Sequence, residues 1–199
     1  DEASLIIETL GEIQREIEHG TVPLESFQED IHMAIEQRLI HKIGEVGGKL
    51  HTARSRNDQI CLDMRLYMRD VLQQCRRLLC DVQAALVTIA EKHLHIIMPG
   101  YTHLQHAQPI LLAHHLMAYY EMFGRDRTRI ADCRRRMNLS PLGCAAMAGT
   151  GLPIDREQVA ALLGFDGVTA NSMDTAGDRD FAIEFVSCCT LIQLHLSRL

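Results

Sequence analysis

The sequence predicts an all-α protein, a bundle of long helices with a small helical part on its N-terminal side. Three observations predict it. Between residues 55 and 92 the apolar residues keep a heptad spacing. A second long segment, from about Ile110 to Met137, is apolar nearly all round in its first half, apart from His114, His115 and Glu121. No segment sustains the apolar–polar alternation of a half-buried strand, so few or no strands are expected.

Taken in order, Leu5, Ile6, Leu10, Ile13 and Ile17 recur at the helix period, and His19-Gly20 closes that helix. Ser26-Phe27-Gln28-Glu29 reads as a capping box. The helix it opens runs to about Ile43, with Ile31, Ile35, Leu39 and Ile43 on one face. Gly44, Gly47 and Gly48 then break the pattern. In the long segment Cys61, Met68, Cys75, Val82 and Ile89 form one series, Met64, Val71, Leu78 and Ala85 a second, and Leu72, Leu79 and Leu86 a third. Two such series make a coiled-coil-like seam; the third widens the stripe beyond what one partner helix covers. The surplus apolar surface implies a bundle completed by other subunits. Met98-Pro99-Gly100 reads as a turn. Ser140-Pro141-Leu142-Gly143 starts a loop of small residues, Asp155 caps a short helix ended by Gly164, and 171–177 reads as a loop before a last apolar helix from Asp178.

The 199 residues suffice for a real core, and the net charge of −6, with no basic arm, argues against a nucleic-acid partner. Arg134-Arg135-Arg136 sits where cations suit a helix C-terminus. The seven cysteines show no paired metal spacing, and an odd number leaves no complete disulfide framework. They read as reduced, small hydrophobes of a cytoplasmic protein. No stretch reads as a signal peptide or a membrane span.

Two polar clusters carry the chemistry, 51–59 and 101–108. In the first, two glycines and a run of polar residues precede the long helix. Ser55, Asn57 and Asp58 favour a helix N-terminus, and Arg54, Arg56 and the Asn57 amide add donors suited to carboxylates. The second, Tyr101-Thr102-His103-Leu104-Gln105-His106-Ala107-Gln108, supplies hydroxyl, imidazole and amide. Together these groups can hold carboxylates and move a proton. His93 and His95 read as solvated rather than as metal ligands, and no phosphate-loop, HExxH or GxSxG pattern occurs.

The stretch from Gly48 to Gln59, with Met98 to Gln105 and Ala107-Gln108-Pro109, resembles the argininosuccinate lyase family of the fumarase/aspartase superfamily. Glu29-Asp30-Ile31-His32, Pro141-Leu142-Gly143-Cys144, Asn171-Ser172-Met173-Asp174 and Asp178-Arg179-Asp180-Phe181 extend the resemblance over essentially the whole chain. The resemblance implies a fumarase/aspartase-type helical bundle. It implies a β-elimination splitting argininosuccinate into arginine and fumarate, without metal or organic cofactor, at sites shared between subunits of a homotetramer. It implies that His103 is catalytic, either giving a proton to the leaving nitrogen or taking one. It implies that Asn57 and Thr102 bind substrate, with Ser55 and Arg56 in the same motif and Gln105 and His32 as further binding or supporting groups.

By that resemblance residues 1-53 are expected to be the end of a first helical domain and 54-199 the first part of the central bundle. The family's Gly-Ser-Ser-x-Met-Pro loop, which carries the catalytic serine, does not occur in the chain, so the chain by itself is expected to be inactive. Gly177 stands where the family pattern has a polar residue. The alternatives are a structural helical oligomer of the delta-crystallin kind and a sibling lyase acting on adenylosuccinate, aspartate or fumarate; the string 55–59 argues against the siblings.

Overall fold

The computed structural model describes residues 1–21 and 30–199. The capping box expected at 26–29 lies outside the described residues. Helix α1, Glu2–Glu18, is capped by Asp1, whose carboxylate accepts from the Ser4 amide at 2.8 Å. Helix α2, Ile31–Ile43, is capped by Asp30, which accepts from the Met33 amide at 2.8 Å. Arg38 and Lys42 on α2 grip Glu16 on α1, and these bonds, Arg38's first, hold the Glu16 carboxyl down at about 2. A short helix α3, Glu45–Gly48, and a 3₁₀ turn, Lys49–His51, lead into the bundle. Gly47 is required there, because a Cβ would lie 2.9 Å from the Ile40 backbone nitrogen.

Helix α4, Arg56–Lys92, is 37 residues long and so spans about 55 Å. Ser55 caps it in a reciprocal arrangement: its hydroxyl accepts from the Asn57 amide at 3.3 Å, and Asp58 accepts from the Ser55 amide at 2.9 Å. Helix α5, Leu112–Met137, runs back along α4, and α8, Asp180–Leu196, packs on both. The core consists of Cys61, Met68, Leu72, Leu79 and Leu86 from α4, Tyr119, Phe123, Ile130, Cys133 and Met137 from α5, and Phe181 and Cys188 from α8. The second half of α5 thus keeps a buried stripe beneath its charged face. Within that interface Gln83 is buried, donating to the Tyr120 carbonyl at 2.8 Å and accepting from Arg127 at 2.7 Å.

Coverage of the α4 stripe is uneven. The Leu72, Leu79, Leu86 series is buried, whereas Leu78 and Ile89 stay 57% and 45% exposed. All seven cysteines are free thiols. No described helix is long and apolar enough to cross a membrane.

Two expectations are corrected. First, residues 98–100 are not a turn. They lie in strand β1, Ile97–Thr102, which pairs antiparallel with β2, Gln105–Leu111, between α4 and α5. A two-residue turn at His103 and Leu104 joins the strands, both residues at left-handed φ of 50° and 60°. The alternation signal is lacking because both faces of the hairpin are largely exposed, and the turn is His-Leu rather than the usual Asn-Gly. A bulge sits between Pro99 and Tyr101, where a Cβ on Gly100 would lie 2.8 Å from the Gln108 carbonyl oxygen. Second, 172–177 is a helix, α7 (Ser172–Gly177), capped by Asn171, which accepts from the Met173 and Asp174 amides. Asp155 does cap the short helix expected after it, α6 (Arg156–Leu162), and Gly164 at φ 71° ends it.

Candidate active site

The start of α4 gathers Ser55, Arg56, Asn57 and His32 within one region. Asn57 is exposed, and its Nδ2 donates to the Ala146 carbonyl at 3.2 Å. Its neighbour Asp58, about 100° round the helix, is fully buried. One Asp58 oxygen serves the cap; the other accepts from the Gly143 and Ala145 amides at 3.1 and 2.8 Å. The loop of small residues is thereby held against the helix start. Arg156 braces its other side by donating to the Leu142 carbonyl at 2.9 Å and to Thr169. A cavity of about 110 Å³ lies between the 52–54 segment and this loop, lined in part by Arg54, Gly143 and Arg156.

Arg56 is committed to α2 and its own helix. It pairs with Glu36 at 3.0 Å and Asp30 at 3.6 Å and donates to Gln59 at 2.9 Å. His32 faces Asp63 at 3.3 Å and His51 faces Glu36 at 3.6 Å. Crowding by neighbouring atoms pushes the Asp63 carboxyl above its ordinary value, against the pull of His32 and Arg54. Among the described residues no group of three or more His, Cys, Asp and Glu side chains is placed to hold a metal ion.

Thr102, His103 and Gln105 share the hairpin tip, Thr102 paired across it with Gln105. Tyr101 and His106 also bond across the hairpin, hydroxyl to Nε2, at 2.9 Å. Every residue from Tyr101 to Pro109 is exposed, and Leu104 at the tip is 94% so. The hairpin leaves the bundle at the C-terminal end of α4, where the Leu112 amide donates to the Ile96 carbonyl. A six-residue strand reaches about 20 Å, far less than the 55 Å length of α4. One chain therefore brings Ser55, Arg56, Asn57 and His32 together, and separately Thr102, His103 and Gln105, but it does not join the two groups.

A family model described as "Lyase" matches residues 1–199. The chain belongs to the lyase family. It is 61% identical to the argininosuccinate lyase of Syntrophobacter fumaroxidans and 60% identical to that of Desulfotalea psychrophila, each over 199 residues, and covers 43% of either relative. The chain thus spans less than half the length of the curated relatives it matches. Among solved structures it is similar to EDDS lyase crystallised with formate, with a TM-score of 0.87 and 34% identity over 99% of this chain and 38% of that one. The helical architecture is accordingly that of the fumarase/aspartase-type lyases.

Sequence reasoning singled out the polar side chains of both clusters but passed over Asp58 as anything more than a helix-start residue. Its partners, Gly143 and Ala145, lie 85 and 87 residues away. The signal was the Ser-x-x-Asp spacing at 55–58, which foretells the cap but not the second carboxylate oxygen's role.

Proposed function

We propose that these residues serve a carbon–nitrogen lyase that splits argininosuccinate into arginine and fumarate in the cytoplasm, as a homotetramer with sites built from several subunits. The separation of the two clusters along α4 carries this reading: Asn57 and His103 are both exposed, each cluster holds part of the chemistry, and only a second copy can bring His103 of one chain to Asn57 of another. The exposed Leu78 and Ile89 on α4 supply apolar surface for such an assembly.

In this reaction a base removes a proton beside a carboxylate, and the charge spreads onto that carboxylate's oxygens. Donors already in place lower the barrier, because they meet the charge as it forms. Asn57 offers an amide N–H and Thr102 a hydroxyl. Ser55, Arg56, Gln105 and His32 support the two clusters or reach the substrate's ends. An imidazole can both give and take a proton, which suits His103 to a transfer in either direction. Its place in a tight turn fixes the backbone from which the ring projects.

The test is fumarate release, followed by ultraviolet absorbance, from the protein as its gene encodes it. His103→Asn and Asn57→Ala are each expected to lower kcat/KM by at least about 100-fold. Full activity in His103→Asn would refute the assignment. Absence of fumarate from argininosuccinate, with release from another amino dicarboxylate, would favour a sibling lyase, the reading that the likeness to EDDS lyase supports. Correct assembly without turnover of either would favour a structural helical oligomer.

A further inference from the structure

We propose that Asp58 is a positioning residue that sets the Asn57 amide through the 143–146 loop. The inference rests on the reading of Asn57 as a carboxylate-binding group. Asp58 has no solvent exposure. Its carboxylate joins the two ends of a closed circuit. One oxygen accepts from the Ser55 amide at 2.9 Å, fixing the first turn of α4, and the other accepts from the Gly143 and Ala145 amides at 3.1 and 2.8 Å. Ala145 is held at φ 51°, a left-handed conformation that an alanine adopts only under outside constraint, and the bond to its amide supplies that constraint. The next carbonyl along, that of Ala146, accepts from Asn57 Nδ2 at 3.2 Å.

The chemical consequence follows from the asymmetry of an amide. A carboxylate is attracted to the NH₂ end and repelled by the oxygen. A free amide on an exposed helix turn would present either end. A carbonyl acceptor beside one N–H selects the orientation with nitrogen toward the loop. The second N–H of that nitrogen then stays available to a carboxylate entering beside the loop. Asp58, on the buried side, thus determines which end of Asn57 the ligand meets.

The experiment is a double-mutant cycle on kcat/KM for argininosuccinate, using Asp58→Asn, Asn57→Ala and the pair in the gene-encoded protein. Asp58→Asn is expected to lower kcat/KM about tenfold in the native background and less than about twofold when Asn57 is already alanine. A general loss of packing gives the same factor in both backgrounds, and that result overturns the proposal while leaving the Asn57 reading intact. Unchanged kcat/KM in Asn57→Ala overturns both. Should Asp58→Asn fail to fold, Ala145→Gly decides. Glycine accepts φ 51° without strain, so the variant folds with a looser loop. A fall of about two- to threefold, absent in the Asn57→Ala background, is expected; no fall overturns the proposal.

Discussion

Removing the guanidinium of Arg65 should unfasten four elements at once. The residue is 3% exposed. Its Nη1 donates to the carbonyls of Met137 and Leu139 at 3.1 and 2.9 Å, its Nη2 donates to Asp178 at 2.5 Å, and its carbon centre lies 5.1 Å from the Phe181 ring centroid. Met137 ends α5, so its carbonyl has no partner within the helix; it accepts from the Leu139 amide at 2.8 Å and from Arg65. Arg65→Met keeps the apolar stem and removes the charge. Each hydrogen bond to a charged donor contributes about 1.5–3 kcal/mol, and breaking a buried ion pair costs about 3–5 kcal/mol. Asp178 keeps 22% of its side-chain surface and can be partly rehydrated, so the lower end applies, about 3 kcal/mol. For a chain of this size that corresponds to a melting point lower by roughly 6–12 °C. Arg65→Lys should lose about 2 kcal/mol, because an ammonium cannot span three acceptors laid out for a planar fork. Urea unfolding followed by circular dichroism measures both. A loss below about 1 kcal/mol in Arg65→Met, at unchanged m-value, would refute the reasoning by showing that the carbonyls find other donors.

Three further outcomes are expected. Gly143→Ala should cost about 2 kcal/mol in the same assay, since φ is 93° and the new Cβ would lie 2.8 Å from Arg156 Cγ, on a side chain already pinned by its hydrogen bonds; a neutral result would show that the loop can move. Burial, reinforced by Glu184, pushes the Cys133 thiol up to about 12. A raised acid keeps its full stabilising effect below the unfolded value of 9.0 and loses it as pH rises toward 12, so at pH 10 about 1.4 kcal/mol is lost. Cys133→Ala should flatten urea midpoints between pH 8 and 10 relative to the parent, and an identical slope would count against the assignment. Leu104→Asp should leave stability within about 0.5 kcal/mol, because the side chain is 94% exposed, yet impair fumarate release if the tip enters another subunit's site.

The long helices were legible because their signals are local and repeated. The heptads of α4 and the Ser55–Asp58 cap need no distant partner to be read, and the Asp155 cap and Gly164 stop of α6 are read the same way. The hairpin was not legible. Its strands are largely exposed and mix apolar with polar residues, from Ile97 and Met98 to Gln105 and Gln108, and its turn uses His103 and Leu104, so neither alternation nor turn chemistry marked it. Helix α7 was missed because its six residues are too few for a period, and only the Asn171 cap announces it.

The sequence by itself determined the helical class, the starts of α4 and α6, and the two sets of side chains able to hold carboxylates and move a proton. Those are properties of neighbouring residues and of spacings within one turn or one heptad. The tertiary structure decided which α4 series is covered by α5 and α8 and which stays open. It also decided that Asp58 reaches the loop at 143–145 and that Asn57 and His103 stand at opposite ends of the same rod. No pattern along the chain specifies such distances, because they are set by how far a rigid helix carries its ends apart and by which remote backbone amides meet a buried carboxylate.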